Sequence, residues 1–380
     1  MHIRYVSNST LGSGAANTIH VLRMCEAFAQ IGHHPVLHCF HPETGPMPAD
    51  RIAKEYGLAD MFPIVQWPRP TSTASRLAYA SRATSDRSAP ESAIIYTRDL
   101  VVAAWARAAG RRFTLESHAA AFRSGIAHRA LFRWICSGRT MQRLVVVSRA
   151  LKDWYVDNGV AASRIVVAPD GAPRAEPSSQ AAPRDDSRAA AARIVVGYAG
   201  SLNPGKGMEV VLPAAALLGH RSDLLFRIVG GSPEQVAHWR KGLRTEANVE
   251  FVGHVAPGRV AAMIRDFDLC LLPNQNHVVG HGGAIGDASS GRDIGSFTSP
   301  LKLFEYMSHG RAIIASDLPV LREVIDERCA VFAPPDDPSA WAGAVERLAD
   351  DPGARATIGR RARDLLETRY TWQARASHVV

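Results

Sequence analysis

The sequence lacks a long hydrophobic segment, which excludes the commonest way of anchoring a chain in a membrane. No run of about eighteen apolar residues occurs among the 380 residues, so we expect no transmembrane helix. The first residues, MHIRYVS, lead directly into a strand without the apolar region of a signal peptide, so we expect no secretory leader.

Cysteine is also scarce, and its pattern excludes a disulfide framework and a zinc site. The five cysteines are odd in number and show no paired spacing. We therefore expect small buried thiols in a reducing compartment, which favours a cytoplasmic protein. The cysteines are Cys25, Cys39, Cys136, Cys270 and Cys329.

Acidic residues are few in the first half of the chain. Positions 1–170 carry 20 Lys and Arg against 12 Asp and Glu, an excess of eight that equals the net charge of the whole chain. A basic half of this kind favours anionic partners such as phosphates or an anionic lipid surface. No basic stripe interleaved with aromatic residues occurs, so nucleic acid is not an expected partner.

Short apolar strands alternate with helical segments along most of the chain, a pattern typical of α/β domains with parallel sheets. A segment rich in Ala, Pro, Ser, Arg and Asp interrupts the alternation and reads as a linker over 173–192. We predict a first domain over 1–172 joined by the C-terminal helix at about 370–380, and a second domain over 193–369. Ligands of such sheets bind at the carboxyl ends of the strands, in the cleft that two such domains would form.

The most informative stretch is FTSPLKLFEYMSHGRAIIAS, which predicts a helix followed by a short buried strand. Ser299 is the predicted N-cap and Pro300 the first helical residue. The amide groups at the start of the helix, from Ser299 to Leu301, would attract a phosphate. Lys302 and Glu305 share one face, and the carboxylate could accept hydrogen bonds from sugar hydroxyls. The stretch therefore predicts a nucleotide-sugar site.

Three glycine-containing loops follow predicted strands and could bind a nucleotide. The loop ending at Gly14 could cradle a diphosphate, or it is a tight turn of small residues. Lys206, between two glycines, could neutralise a phosphate, or it is a surface lysine in a turn. Gly231 and Ser232 could lie against a base or ribose, or they form an ordinary turn.

His118 ends a predicted strand of the first domain and could hydrogen-bond a sugar hydroxyl or a phosphate. The alternative is a helix-capping or core histidine. No set of histidines shows metal-ligand spacing, so no metal site is predicted.

Two longer segments remain open to alternatives. The glycine-rich loop over 274–296 could close over a ligand or could be mobile. The basic, aromatic segment over 119–143 could contact an anionic membrane or an acidic acceptor, although its composition favours a solvated face with a buried aromatic side.

Taken in order, the segments GYAGSLNPGKG, FRIVGGSPE, VEFVGHV and SPLKLFEYMSHGRAIIASDLPVLREVI resemble those of the family-4 glycosyltransferases. The first half matches more loosely, through segments such as IIYTRD, LESH and APDGA. The resemblance implies two Rossmann-like domains facing across a cleft (the GT-B fold), with a C-terminal helix that crosses back to the first domain. It also implies a nucleotide-sugar donor on the second domain and an acceptor on the first.

The resemblance assigns roles to the residues singled out above. Lys206 would hold the diphosphate, Glu305 the ribose hydroxyls, and Gly14 would approach the diphosphate from the other domain. His118 would face the sugar or the acceptor. The remaining donor-binding residues would be Ser201, Gly231, Ser232, Ser299, Pro300, Leu301 and Lys302.

The chain departs from the family at two of its positions. Phe297 stands where many members have a glutamate that contacts the donor sugar, and Ser201 stands where many have an arginine. These departures leave donor-sugar recognition open. They also place more of the phosphate binding on Lys206 and the helix N-terminus.

The sequence thus predicts a retaining, metal-independent glycosyltransferase that uses a UDP- or GDP-sugar and no cofactor. The acceptor would be a cell-surface glycan, a lipid-linked oligosaccharide or a small molecule, and the enzyme would be cytoplasmic with a possible contact to the inner membrane face. The Asp-x-Asp pattern at Asp266–Asp268 comes before a strand, which is the wrong side of the sheet for a metal-diphosphate site. A nucleotide-sugar epimerase or hydrolase and a non-catalytic binding subunit are the alternatives.

Overall fold

A computed structural model describes residues 1–120, 126–174, 193–241, 243, 248–278 and 295–380. The chain forms two compact units, the first comprising Met1–Asp170 with Trp372–Val380 and the second comprising Gly171–Thr371. The C-terminal helix therefore returns to the first unit, as predicted. Most of the predicted linker lies outside the described residues.

The first unit contains a seven-stranded parallel sheet with the strand order β3-β2-β1-β4-β5-β6-β7. Its strands are β1 (His2–Thr10), β2 (His34–Phe40), β3 (Ile64–Trp67), β4 (Ile94–Thr97), β5 (Phe113–Ser117), β6 (Met141–Val146) and β7 (Ile165–Val167). Its helices are α1 (Ala16–Gln30), α2 (Ala49–Tyr56), α3 (Thr73–Ser85), α4 (Leu100–Ala108), α5 (Ile126–Ser137), α6 (Arg149–Asp157) and α14 (Trp372–Val379).

The second unit contains a six-stranded parallel sheet with the order β10-β9-β8-β11-β12-β13. Its strands are β8 (Ile194–Ala199), β9 (Leu224–Val229), β10 (Val249–Gly253), β11 (Leu269–Leu272), β12 (Ala312–Ser316) and β13 (Val331–Ala333). Its helices are α7 (Met208–Leu217), α8 (Pro233–Arg240), α9 (Pro257–Arg265), α10 (Leu301–Ser308), α11 (Pro319–Arg322), α12 (Pro338–Asp350) and α13 (Pro352–Leu365).

Each sheet is buried because its strands are apolar on both faces. Every residue of β11 and β12 is buried, and two separate apolar clusters cover the two faces of the second sheet. Removing apolar surface from water contributes about 25 cal/mol per Å², so these continuous apolar strands dominate the stability of the unit. All five cysteines are buried and free, in agreement with the prediction from their spacing.

The segment between β2 and β4 held three elements that the sequence pattern did not reveal, α2, β3 and α3. The strand β3 is short, and all four of its residues are only partly buried, so it lacks the buried apolar run of the other strands. It ends at Trp67 because Pro68 cannot continue the ladder.

Asparagine is a common N-cap residue, so the sequence suggests Asn17 as the cap of the first long helix, but this prediction is wrong. The helix α1 begins at Ala16, its N-cap is Ala15, and no side chain caps it. In the part of the chain that the structure describes, no helix is both long and apolar enough to cross a membrane.

Candidate active site

Loops at the carboxyl edge of the second sheet converge because glycines let them approach closely. A Cβ atom on Gly230, after β9, would lie 2.0 Å from the carbonyl oxygen of Gly200, after β8. A Cβ atom on Gly231 would lie 2.5 Å from a methyl carbon of Leu202. Only glycine fits at either position, so the predicted donor-binding Gly231 has a packing role whether or not it touches a ligand.

The loop that carries Lys206 is held by hydrogen bonds from its own helix. The carboxylate of Glu209, in the first turn of α7, accepts the amides of Gly205 (2.9 Å) and Gly207 (3.1 Å). The amide of Gln275, after β11, donates to the carbonyl of Gly205 at 2.9 Å. Lys206 is therefore presented by a braced loop, not by a loose surface turn.

Lys206 itself is partly buried, and burial lowers its pKa to about 8. An ammonium group is disfavoured where water is excluded, unless an anion compensates for the lost hydration. The position suits a residue that meets a negatively charged ligand.

Lys302, on α10, is the most unusual charged residue of this edge. Its side chain is 8% exposed, and Nζ has no hydrogen-bond partner among the residues that the structure describes. Nζ lies 4.0 Å from the ring centroid of Tyr198, at the end of β8. Burial, together with repulsion from Lys206, holds the pKa of Lys302 well below its usual range, and Glu305 opposes this shift. Lys206 and Lys302 are thus close enough to repel each other, and the negative charge of Glu305 offsets this repulsion only in part.

The helix α10 begins one residue later than the sequence predicted. Pro300 is the N-cap, Leu301 is the first helical residue, and no side chain caps the helix, so the prediction of Ser299 as the capping residue is wrong. Since proline has no N–H and the amide of Leu303 donates to the carbonyl of Pro300 at 3.0 Å, the amides of the first turn that could meet an anion are those of Leu301 and Lys302. Gly310, with φ of 61°, follows the helix as expected of a C-terminal glycine.

A tyrosine of α10 fixes this helix to the sheet. The hydroxyl of Tyr306 accepts the amide of Ala199, the last residue of β8, at 2.8 Å. Leu303, Phe304 and Met307 are fully buried, as their spacing predicted. The helix therefore holds Lys302 and the partly buried Glu305 at the end of β8.

Two serines among the predicted donor-binding residues have other local roles. Ser201 is exposed, and its carbonyl accepts the hydroxyl of Tyr198 at 2.7 Å. The hydroxyl of Ser232 caps α8, since it accepts the amide of Gln235 (3.3 Å) and donates to Glu234 (2.6 Å). The contacts of these serines with a donor stay predictions.

Asn274, the first residue of the glycine-rich loop, has a property that its sequence did not predict. It follows the buried strand β11 with only Pro273 between them and is fully buried, yet neither its side-chain oxygen nor its nitrogen has a hydrogen-bond partner anywhere in the described residues. A buried amide without partners is costly and usually has a functional explanation. The available signal was a polar residue at the carboxyl end of an apolar strand. Residues 279–294, most of the glycine-rich loop, lie outside the described residues.

In the first unit, Gly14 lies between β1 and α1 and has a φ of 61°, which favours glycine. The neighbouring hydroxyls of Ser13 and Thr18 are 3.0 Å apart. The approach of Gly14 to a diphosphate stays a prediction.

His118, just after β5, belongs to a buried cluster of charged side chains. Its Nε2 lies 2.5 Å from Oε1 of Glu116, which also lies 3.0 Å from Nη2 of Arg375. His20, on α1, has Nε2 2.8 Å from the same oxygen and Nδ1 2.8 Å from Oδ1 of Asp170. Of the residues that join His118, only Glu116 was singled out from the sequence.

The charges of this cluster are strongly coupled. Burial acts to raise the pKa of Glu116, but Arg375 and His20 outweigh it, and the pKa lies well below its usual range. Burial lowers the pKa of His118 to about 4; Arg98 adds to this effect and Glu116 opposes it. At neutral pH the pair therefore consists of a carboxylate and a neutral imidazole.

His20, Glu116 and His118 place three ligand atoms within 4.8 Å of one another, an arrangement that could hold a metal ion. The guanidinium of Arg375 already supplies a positive charge to the shared carboxylate oxygen. A cation there would meet that buried charge at close range, so we assign the group to an ion-pair cluster.

The two parallel sheets define an α/β protein, and the second sheet carries braced loops and two lysines at its carboxyl edge. Two sequence profiles divide the chain: residues 18–175 match "Glycosyltransferase Family 4" and residues 193–351 match "Glycosyl transferases group 1". Together they account for most of its length. The chain belongs to the family-4 glycosyltransferases.

Two curated relatives agree with this assignment. The D-inositol 3-phosphate glycosyltransferase of Corynebacterium glutamicum is 26% identical over 197 residues, which cover 49% of this chain and 42% of the relative. The phosphatidyl-myo-inositol mannosyltransferase of Mycolicibacterium smegmatis is 28% identical over 179 residues, or 47% and 41% of the two chains. The matched region thus spans about two fifths of each relative.

Solved structures share the fold. Anabaena Alr3699/HepE, in complex with UDP and glucose, superposes with a TM-score of 0.70 at 15% identity and covers 99% of this chain and 98% of its own. WaaG, a glycosyltransferase involved in lipopolysaccharide biosynthesis, gives 0.65 at 14% identity over the full length of both chains. The fold is therefore of the predicted GT-B class, with two Rossmann-like domains.

Proposed function

We propose that this protein transfers a sugar from a nucleoside-diphosphate sugar, a UDP- or GDP-sugar, to an acceptor hydroxyl. The observation that carries the proposal is the pair Lys206 and Lys302, one with a pKa of about 8 and the other buried without a hydrogen-bond partner. Buried cations of this kind call for an anion, and a diphosphate would satisfy both. The names of the relatives give different substrates, so the sugar that this protein transfers stays open.

The same residues would stabilise the transition state. As the glycosidic bond breaks, negative charge grows on the leaving diphosphate. Preorganised ammonium groups and the amides at the start of α10 would stabilise that charge, because they lie where water is largely excluded. Glu305, one turn along α10, is placed to accept hydrogen bonds from the ribose hydroxyls.

The proposal needs no divalent ion, since two lysines would supply the positive charge. Asp266 and Asp268 lie before β11, at the opposite edge from the lysines, and the carboxylate of Asp268 accepts the amide of Val195 at 2.8 Å. In the mechanism usual for the family, the acceptor attacks the same face of the sugar, and the leaving phosphate takes the acceptor proton. Retention of configuration then follows without a dedicated side-chain base.

The test is a transfer assay with purified protein, a panel of UDP-, GDP-, dTDP- and ADP-sugars, and lipid and glycan extracts in the presence of EDTA. We expect nucleoside diphosphate and a glycosylated product from one donor class. Free epimerised donor or water-dependent donor cleavage would favour the epimerase or hydrolase, and binding without turnover would favour the non-catalytic subunit. A strict requirement for added metal would contradict the mechanism.

We further propose that α5 contacts an anionic membrane that carries the acceptor. Ile126 is 87% exposed and Trp134 is 42% exposed, and Arg129 and Arg133 are exposed on the same side of the helix. Apolar side chains flanked by arginines are typical of helices that lie in a lipid interface.

Co-sedimentation with vesicles tests the membrane proposal. Binding to vesicles that contain about a third anionic lipid should be lost when Ile126 and Trp134 are both changed to Ser. Leu217→Ser, which removes a leucine 53% exposed on α7, is the control and should bind like wild type. Equal binding of all three proteins to anionic and neutral vesicles would contradict the proposal.

A further inference from the structure

The carboxylate of Glu116 is the meeting point of four elements of the first unit. Its Oε1 contacts His118 after β5, His20 on α1 and Arg375 on α14, and its Oε2 accepts the hydroxyl of Tyr96 on β4 at 2.5 Å. The residue is 1% exposed. A carboxylate buried this deeply and contacted by three cationic or hydrogen-donating groups is fixed in position.

We propose that Arg375, on the C-terminal helix, is a positioning residue that acts through Glu116 to hold His118 in one orientation and one tautomer. His118 Nδ1 is then left to accept a hydrogen bond from a hydroxyl of the acceptor. This inference rests on the proposed glycosyltransferase function, and it assigns a part in that reaction to a helix at the far end of the chain.

The tautomer follows from the donors and acceptors on the two side chains. An ionised carboxylate can only accept hydrogen bonds, so the contact between Glu116 and Nε2 requires a proton on Nε2. His20 Nε2, although close to the same oxygen, is not aligned for a hydrogen bond. The two hydrogen bonds to Oε1 therefore come from His118 and Arg375.

His118 Nδ1 is the ring nitrogen that remains for a ligand. No residue that the structure describes hydrogen-bonds to Nδ1, and the side chain is 22% exposed, in contrast with the buried Glu116. The pKa of His118, about 4, keeps the ring neutral at physiological pH, so Nδ1 carries a lone pair.

Arg375 is itself held by several contacts. Its Nε donates to the carbonyl of Pro169 at 2.9 Å, its Nη2 donates to the carbonyl of Ala168 at 3.1 Å, and its Nη1 lies 3.1 Å from the sulfur of Met24. The side chain is 4% exposed. A planar guanidinium can hold these directions at once, whereas the single ammonium of lysine cannot.

The test measures His118 directly and does not depend on turnover. Long-range ¹H–¹⁵N spectra of histidine-labelled full-length protein distinguish the two neutral tautomers, and His118→Gln assigns the signal. We expect wild-type His118 in the single form with the proton on Nε2. Arg375→Lys and Arg375→Met should shift the His118 signals toward a mixture of tautomers or an altered Nε2 environment.

Arg143→Met is the matched control. Arg143 also contacts α14, since its Nη1 donates to the carbonyl of His378 at 3.2 Å, but it does not contact Glu116. Its His118 spectrum should be that of wild type. If the spectrum is unchanged in Arg375→Lys and in Arg375→Met, the proposal is overturned. If Arg375→Met does not fold, an unchanged spectrum in Arg375→Lys alone overturns it.

Kinetics provide the second readout. A displacement of about 1 Å at a reacting group can cost about a hundredfold in rate, so kcat of the Arg375 variants should fall by about tenfold or more. Affinity for UDP or GDP alone should be unchanged, because Lys206 and Lys302, the lysines proposed to bind the diphosphate, belong to the other unit. A loss of stability with unchanged kcat would indicate a merely structural role and contradict the proposal.

The two proposals fail in distinguishable ways. An absence of transferase activity in wild type with every donor would refute the proposed function, while the His118 spectra would still report whether Arg375 positions the ring. Activity in wild type with unchanged spectra and unchanged kcat in the Arg375 variants would refute only the positioning role.

Discussion

Replacing Lys302 by methionine should make the free protein more stable and its nucleotide binding weaker. The substitution keeps the length and apolar stem of the side chain and removes the buried ammonium. Leaving a buried polar group without a hydrogen bond costs about 1–3 kcal/mol. The cation–π contact of Lys302 with the ring of Tyr198, at 4.0 Å, offsets about 0.5–1 kcal/mol of this penalty.

The net gain in the free energy of unfolding is therefore about 1 kcal/mol. The second unit contains about 200 residues, so this gain should raise its Tm by about 2–4 °C. Hydrogen bonds to charged groups contribute about 1.5–3 kcal/mol, so the loss of a phosphate contact should raise the Kd for UDP or GDP by roughly 10- to 150-fold.

The assay combines thermal unfolding without ligand and calorimetric titration with each nucleotide. Lys241→Met, which removes an exposed lysine of the same unit, should change neither quantity appreciably. A lower Tm together with an unchanged Kd in Lys302→Met would refute the reasoning, because it would mean that Lys302 stabilises the fold and does not bind the phosphate.

Three further predictions concern the same edge of the second sheet. Because the pKa of Lys206 is about 8 and a diphosphate favours its charged form, nucleotide binding should take up a proton above pH 8. Affinity should then fall by up to about tenfold per pH unit above 8, and calorimetry in buffers of different ionisation enthalpy would detect the uptake. Lys206→Met should reduce the uptake to the part that Lys302, whose pKa is also lowered, contributes. Glu305→Ala should weaken UDP binding but leave inorganic pyrophosphate binding unchanged, since we propose that the carboxylate binds the ribose. An equal loss of affinity for UDP and for pyrophosphate would contradict this placement of the ribose. Gly230→Ala should lower the Tm markedly, because the new Cβ would lie 2.0 Å from the carbonyl oxygen of Gly200. Gly253→Ala is the control: Gly253 also has a positive φ but has open space at its Cβ position, so this variant shows the effect of backbone strain without the steric clash.

Local patterns were sufficient for the architecture, and they led to the prediction of a phosphate-binding edge. Apolar strands alternating with helices specify parallel sheets, and the polar residues that follow such strands meet at one edge whatever the details of packing. The predictions for Lys206, Lys302 and Glu305 rest on such patterns. The structure added the reason for the lowered pKa values of the two lysines, which is burial and, for Lys302, also repulsion from Lys206.

The cluster around Glu116 could not be predicted in the same way. Glu116 and Arg375 are 259 positions apart, and His20 and Asp170 are 150 apart, so no window of sequence contains both members of either pair. Only the strand order of the first sheet and the return of α14 bring them together. The sequence of α14 is basic and polar overall, so it gives no sign that Arg375 is buried.

The N-terminal cap of α10 could not be predicted from local composition. Ser299 followed by Pro300 has the composition of a cap and a first helical residue, yet the backbone places Pro300 in the capping position and leaves the helix without a side-chain cap. Composition allowed either register. The packing of Tyr306 against Ala199, which fixes the helix on the sheet, was not visible in the local pattern.

The most direct test of the central claim is a crystal structure of the protein with UDP or GDP, grown in the presence of EDTA. The account predicts phosphate oxygens about 3 Å from Nζ of both Lys206 and Lys302, and ribose hydroxyls within hydrogen-bond distance of Glu305. A nucleotide bound elsewhere, or a diphosphate that contacts neither lysine, would contradict it.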